Sequence, residues 1–161
     1  MEKFILSVLV ENKFGVLARV AGLFSARGFN ISSLAVAETE DATLSRITMV
    51  VDANEKILEQ IKKQLNKLID VVKVVDLTEK DYIDRELVLI KVGIDQKTRD
   101  KVMKVLDSLE AKVLEAGSGT LIIEEIGDER KINATLELLR PFGIIEIVRT
   151  GKIAIQTEGK K

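Results

Sequence analysis

The chain has 161 residues, of which 25 are basic and 26 acidic, and it contains neither cysteine nor histidine. The near-balance of charge disfavours nucleic acid and anionic membranes as partners, and the two missing residue types exclude disulfides, the usual zinc ligands and the commonest general base. With no run long enough to span a bilayer and no signal-peptide pattern at its start, the sequence predicts a cytoplasmic protein.

The first half of the sequence alternates between strand and helix patterns. Short apolar or alternating runs predict four strands, over residues 4–10, 29–38, 44–51 and 71–75. After the first strand the apolar spacing becomes helical, which predicts a helix over 15–27 that stops at Gly28. A second helix follows a cap at Asp52 or Asn54. Its predicted apolar face consists of Ile57, Leu58, Ile61, Leu65, Leu68 and Ile69. This order predicts an antiparallel sheet with both helices on one face.

The second half repeats the same order of elements after a polar segment. Strands are predicted over residues 87–92, 112–116, 120–126 and 144–148, with a short edge strand over 152–156. One helix has an apolar face of Val102, Met103, Leu106 and Leu109, and another, with Ile132, Leu136 and Leu139, is capped by Asp128 and ends before Pro141. The sequence therefore predicts an α+β protein with two ferredoxin-like βαββαβ domains, residues 1–77 and 86–161, joined by a linker over 78–85.

Asn12, Gly15 and Asn30 are the set of residues that most favours ligand binding. Gly15 opens the first helix, whose first backbone N–H groups have no partner within it and therefore suit a carboxylate. Asn12 and Asn30 are expected to place carboxamides on either side of that position. Each residue alone has an ordinary explanation, namely a tight turn, a loop cap and a solvated strand edge, but together they indicate a site for a free amino acid.

Residues that could carry catalysis are few. Glu124 and Glu125 are adjacent strand residues, so their side chains point to opposite faces and cannot form a close dyad. Asp128 stands where the first turn of a helix prefers acids. The serines have no histidine to activate them, and the few aromatic residues form no RNA-binding platform. An enzyme is therefore the least favoured alternative.

Four segments carry a family resemblance. They are ILSVLVEN over 5–12, GVLARV over 15–20, LFSARGFNI over 23–31 and TLSRIT over 43–48. These segments closely resemble the small, regulatory subunits of acetolactate synthase (acetohydroxyacid synthase), and the amino-terminal unit is similar to an ACT domain. The detailed match covers about residues 4–77, while 87–156 agree in length and pattern with less specific motifs.

The resemblance implies a chain without catalytic residues of its own, which binds and activates a separate catalytic large subunit. That subunit uses thiamine diphosphate, magnesium and FAD, and makes the precursors of valine, leucine and isoleucine. The small subunit is implied to bind a branched-chain amino acid, usually valine, and to convey feedback inhibition. By motif position, Asn12, Gly15 and Asn30 are implied to contact this effector, with backbone groups of Val16 and Ile31 beside them. A homodimer through the ACT domains, with the effector between two copies, is also implied.

One departure from the common ACT pattern concerns the turn before the first helix. Many ACT domains have Asp-x-Pro-Gly there, whereas this chain has Asn12-Lys13-Phe14-Gly15. The turn lacks the proline that would stiffen it and the carboxylate that would pair with a ligand ammonium, so Asn12 is left either to accept from the ammonium or to donate to the carboxylate. A free-standing amino-acid sensor built from two ACT-like units is the alternative reading.

Overall fold

The structure, a computed structural model, describes residues 2–158; residue 1 and residues 159–161, the outer ends of the two predicted domains, lie outside the described part. The first unit contains four strands and two helices. They are β1 (Glu2–Glu11), α1 (Val16–Ser25), β2 (Ile31–Glu38), β3 (Leu44–Ala53), α2 (Glu55–Leu65) and β4 (Val71–Asp76). The strands pair antiparallel in the order β2-β3-β1-β4. The predicted ferredoxin-like arrangement is therefore confirmed.

The core of the first unit lies between the sheet and its two helices. Every second residue of β1 and β3 faces this core, because successive strand side chains point to opposite faces. The buried set from the strands and helices includes Leu6, Val8, Ile47, Met49, Val20, Phe24, Leu58, Ile61 and Leu65. Burial of this apolar surface stabilises the unit by about 25 cal/mol per Å² removed from water.

Local signals set the ends of the two helices. Asn54, and not Asp52, caps α2, because its side chain accepts from the backbone N–H of Ile57 at 2.9 Å. Helix α1 ends at Ser25, two residues before the predicted end at residue 27, and Gly28 then turns the chain with a φ of 67°. The predicted apolar face of the second helix is wrong at its end. The helix stops at Leu65, and Ile69 lies in the following turn with almost its whole side chain exposed.

The second unit repeats the arrangement. Its elements are β5 (Tyr82–Gly93), which begins in the first unit, α3 (Arg99–Leu109), β6 (Lys112–Ala116), β7 (Thr120–Gly127), α4 (Glu129–Leu139) and β8 (Ile144–Arg149). A further strand, β9 (Ile153–Gln156), follows in the chain and belongs to the first unit. The sheet has the order β6-β7-β5-β8, with β9 paired to β5. Asp128 caps α4 by accepting from Lys131 N–H at 2.8 Å, and Pro141 lies in a 3₁₀ turn after that helix. Met103 is exposed while Val105 packs on the core, so the predicted face of α3 is wrong at that position.

The division of the chain differs from the predicted one at two points. Among the described residues, the first unit extends to Ile83 and takes in residues 152–158, and the second unit is Asp84–Gly151. Ala154 of β9 is the reason, since it is buried with Ile5 and Val50 in a small cluster of the first unit. The second half of the predicted linker also begins β5, whose Tyr82 packs against the same cluster. Among the described helices, none has the length and hydropathy that crossing a bilayer requires.

Candidate functional site

The turn that ends at Gly15 leaves amide groups free at the start of α1. Gly15 has a φ of 81°, a left-handed conformation that glycine adopts without strain, and it precedes a helix that has no side-chain cap. The Val16 side chain is buried, and its N–H donates to the Lys13 carbonyl at 3.3 Å. Within residues 2–158 the N–H groups of Leu17 and Ala18 have no hydrogen-bond acceptor. These two donors and the positive end of the helix dipole suit an anion.

Asn12 is held firmly beside this turn. Its backbone N–H donates to the Thr43 carbonyl at 2.7 Å, and its side-chain Nδ2 donates to the Glu38 carboxylate at 3.0 Å and to the Ala42 carbonyl at 2.9 Å. Because a carboxamide nitrogen has two hydrogens, both are used, and the Oδ1 oxygen is the group left for a ligand. Asn12 therefore favours accepting from an ammonium over donating to a carboxylate.

Glu38 is a charged residue of this region that the sequence reasoning missed. It ends β2 and its carboxylate lies 3.0 Å from Asn12 Nδ2, so a carboxylate stands near the turn although the Asp-x-Pro-Gly pattern is absent. The signal available in the sequence was an acidic residue at the end of a strand that returns to the turn. Only the pairing of β2 with β3 brings it there, because Glu38 lies opposite Ser45, next to the end of β1.

Asn30 and Ile31 lie at the other end of the unit. Asn30 donates from Nδ2 to the Asp52 carboxylate at 3.1 Å, and Ile31 pairs with Val51, whereas the Asn12 turn adjoins the Glu38 end of β2. The eight residues of β2 span about 24 Å at roughly 3.4 Å per residue. The expectation that the two carboxamides flank one position is therefore wrong for a single chain. The reason is that α1 runs back along the sheet, so the strand after it starts at the far end.

Ion pairs and hydrogen bonds surround the turn. Arg19, one helical turn after Gly15, donates from Nε to the Asp70 carboxylate at 2.9 Å, and its Nη2 lies 2.7 Å from the same carboxylate oxygen in an ion pair. A hydrogen bond from Lys13 to Glu11 raises the pKa of the exposed Lys13 ammonium. Hydrogen bonds from the Thr43 hydroxyl and backbone N–H lower the pKa of the Asp41 carboxyl. The same two bonds hold together the loop that supports Asn12.

The carboxylates of the second unit have structural partners. Glu125 is buried, where it accepts from Thr135 Oγ1 at 3.2 Å and pairs with Lys131 at 2.7 Å. Glu124 is on the opposite face of β7, as the alternation of side chains predicts, and faces Lys112 at 3.9 Å. Asp128 caps α4. Among residues 2–158, no group of three or more acidic, histidine or cysteine side chains is placed to hold a metal ion.

Comparison with known proteins gives matches to both units. A family model described as an acetohydroxyacid synthase small subunit-like ACT domain matches residues 6–73, and one described as the small subunit of acetolactate synthase matches residues 85–158. The acetolactate synthase small subunit of Aquifex aeolicus is 45% identical over 98% of this chain and 83% of its own length. That of Mycolicibacterium smegmatis is 49% identical over 93% of this chain and 88% of its own. A crystal structure of the Thermotoga maritima small subunit has 37% identity and a TM-score of 0.89, and covers 99% of this chain and all of that one.

Proposed function

The chain belongs to the family of acetolactate synthase small subunits, and we propose on that premise that it regulates a separate catalytic subunit in the cytoplasm and has no catalytic role of its own. The family match over almost the whole chain is the observation that carries this proposal. Thiamine diphosphate, magnesium and FAD belong to the catalytic subunit in this proposal. The structural partners of Glu124, Glu125 and Asp128 support it, because those carboxylates already have roles in the fold.

The proposed effector is a branched-chain amino acid, with valine first. Its carboxylate would accept from the N–H groups of Leu17 and Ala18, which have no acceptor within residues 2–158. Its ammonium would donate to Asn12 Oδ1, in the field of the Glu38 carboxylate. Gly15 and Val16 contribute backbone beside this position. Since branched side chains differ by a methylene worth about 1–3 kcal/mol, leucine and isoleucine remain competitors.

A second copy of the chain is proposed to complete the effector site. β2 is an edge strand, and from Ile31 to Ala37 it contains no charged residue, so it lacks the usual protection against pairing with another strand. Its Leu34 and Val36 are exposed apolar side chains that such pairing would cover. Antiparallel pairing of β2 with its copy brings the Ile31 end of one chain beside the Glu38 end of the other. Asn30 and Ile31 of the second copy would then face the Gly15 turn.

Reconstitution with the catalytic subunit tests this function. Adding the purified chain to the isolated catalytic subunit should raise acetolactate formation, and adding valine should then lower it towards the activity without the chain. The control is valine added to the catalytic subunit alone, which should change nothing. Unchanged activity on adding the chain would contradict the regulatory role. Activation without any effect of valine, leucine or isoleucine would contradict only the proposed effector.

A further inference from the structure

Asp70 holds the Gly15 turn at both of its ends. Its backbone carbonyl accepts from the N–H of Glu11, just before the turn, at 2.8 Å. Its carboxylate oxygen Oδ2 accepts a hydrogen bond from Arg19 Nε, one helical turn after Gly15, at 2.9 Å and forms an ion pair with Arg19 Nη2 at 2.7 Å. Asp70 lies between α2 and β4, so a loop distant in sequence brackets the segment that carries the proposed effector contacts.

Arg19 also covers Gly15 directly. A Cβ placed on Gly15 would lie 3.3 Å from Arg19 Nη1, so the guanidinium rests against the glycine backbone in space that a side chain would fill. The turn itself has few local restraints. It contains no proline, and α1 has no side-chain cap. The contact with Arg19 therefore supplies a restraint that the local sequence does not.

Arg19 is half exposed, but the Asp70 carboxylate is more buried than those of Glu11, Glu59 and Asp76, which pair with lysines in the first unit. The Asp70 side chain is 11% exposed, whereas the carboxylates that pair with Lys13 and Lys62 at 2.6 and 2.5 Å, those of Glu11 and Glu59, are 39% and 56% exposed. A charge-assisted hydrogen bond to a weakly solvated carboxylate is stronger than a neutral one, whereas fully exposed ion pairs contribute little. Loss of the guanidinium would leave a nearly buried carboxylate without its counter-charge.

We infer that Arg19 and Asp70 are a positioning pair, which holds the Gly15 turn and the first amides of α1 in the shape that binds the effector. The inference rests on the proposed effector site and adds to it two residues that need not touch the ligand. Arg19 acts by covering Gly15, and Asp70 acts by fixing Arg19 and Glu11. A turn without this restraint samples other shapes, and apparent affinity falls with the fraction of chains in the competent one.

Three variants separate positioning from general stability. Arg19→Gln removes both the charge and the planar guanidinium group. Arg19→Lys keeps a charge that can pair with Asp70 but lacks the planar group that covers Gly15. The matched control is Arg149→Gln, because Arg149 donates to Glu86 at 2.7 and 2.6 Å and the Glu86 side chain is 8% exposed, in the second unit. Titration calorimetry with valine and thermal unfolding are measured on the full chain. Hydrogen exchange of the amides of residues 12–18 is measured without ligand.

We expect the dissociation constant for valine to rise about tenfold in Arg19→Gln and about threefold in Arg19→Lys. Arg149→Gln should lower the melting temperature to a similar degree as Arg19→Gln and change the dissociation constant by less than about twofold. Wild-type affinity in Arg19→Gln, or an equal loss in Arg149→Gln, would overturn the inference. If the wild-type chain binds none of the three branched-chain amino acids, the proposed effector function fails. Hydrogen exchange then tests separately whether Arg19 restrains the Gly15 turn. Faster exchange over residues 12–18 in Arg19→Gln, but not in Arg149→Gln, supports this restraint, and unchanged exchange in Arg19→Gln overturns it.

Discussion

Replacing Gly15 by aspartate tests where the carboxylate of the effector lies. Gly15 has a φ of 81°, and a left-handed backbone costs residues other than glycine about 1–2 kcal/mol, with aspartate and asparagine at the low end. A Cβ there would lie 3.3 Å from Arg19 Nη1, so the guanidinium must shift by a few tenths of an ångström. Gly15→Asn is the matched control, since it carries the same backbone strain and nearly the same volume without the charge. The free energy of unfolding should therefore fall by a similar amount in both variants, about 1 kcal/mol.

The charge separates the two variants in effector binding. At about 5 Å and an effective dielectric constant near 20, two negative charges repel by roughly 3 kcal/mol. Arg19 neutralises part of the aspartate charge, which leaves about 1.4–2.8 kcal/mol, or roughly a tenfold to hundredfold weaker binding of valine than in Gly15→Asn. Titration calorimetry at low salt measures the dissociation constant for valine of both variants, and high salt should reduce the ratio of the two constants. Equal constants for the two variants would refute a carboxylate beside Gly15, and wild-type heats in both would remove the turn from the site.

Two further predictions concern Asn30 and the loop that supports Asn12. Asn30→Trp should abolish valine binding in calorimetry while it lowers the free energy of unfolding by less than about 1 kcal/mol, because Asn30 is exposed; wild-type binding would remove it from the site. The pKa of Asp41 is lowered by its bonds from Thr43, so this carboxylate contributes stability above its unfolded-state pKa that is lost as the pH falls through the lower folded-state pKa. Thr43→Val should move the Asp41 pKa back towards its ordinary value in an NMR titration, and an unmoved pKa would contradict the assigned cause.

The element order could be predicted because local patterns and burial agree along most of the chain. The strand that contains Leu6 and Val8 is apolar and bounded by polar residues, and helix caps are local interactions, so the sequence predicts the cap at Asp128 and narrows the second cap to Asp52 or Asn54. Ile69 could not be placed from its spacing, because helical spacing continues in the sequence after the helix has ended at Leu65. The packing of Ala154 on the first unit also has no local signal, since it depends on contacts between residues about 100 or more positions apart in the chain.

The candidate site shows the same difference between local and long-range information. Gly15 at the start of a helix is a local feature, and the structure places it there with a positive φ. Glu38 reaches the turn, and Asn30 lies far from it, only because of how β2 pairs with β3. Sequence spacing alone therefore suggested the right neighbourhood for Asn12 and Gly15 and the wrong one for Asn30. The role of Arg19 depends on Asp70, which is 51 residues away in sequence.

A site shared between two copies has a consequence for assembly that does not depend on the catalytic subunit. If the effector binds only where Asn12 of one chain faces Asn30 of another, then by linkage it must stabilise the dimer. Each of two equivalent sites contributes about 1.4 kcal/mol when free valine is roughly ten times its dissociation constant, so the two lower the dissociation constant of the dimer about a hundredfold. Sedimentation velocity of the purified chain with and without valine measures this shift, and Asn30→Trp should abolish it. A dimer whose dissociation constant is unchanged by saturating valine would mean that one chain binds the effector alone, and Asn30 would then have no part in the site.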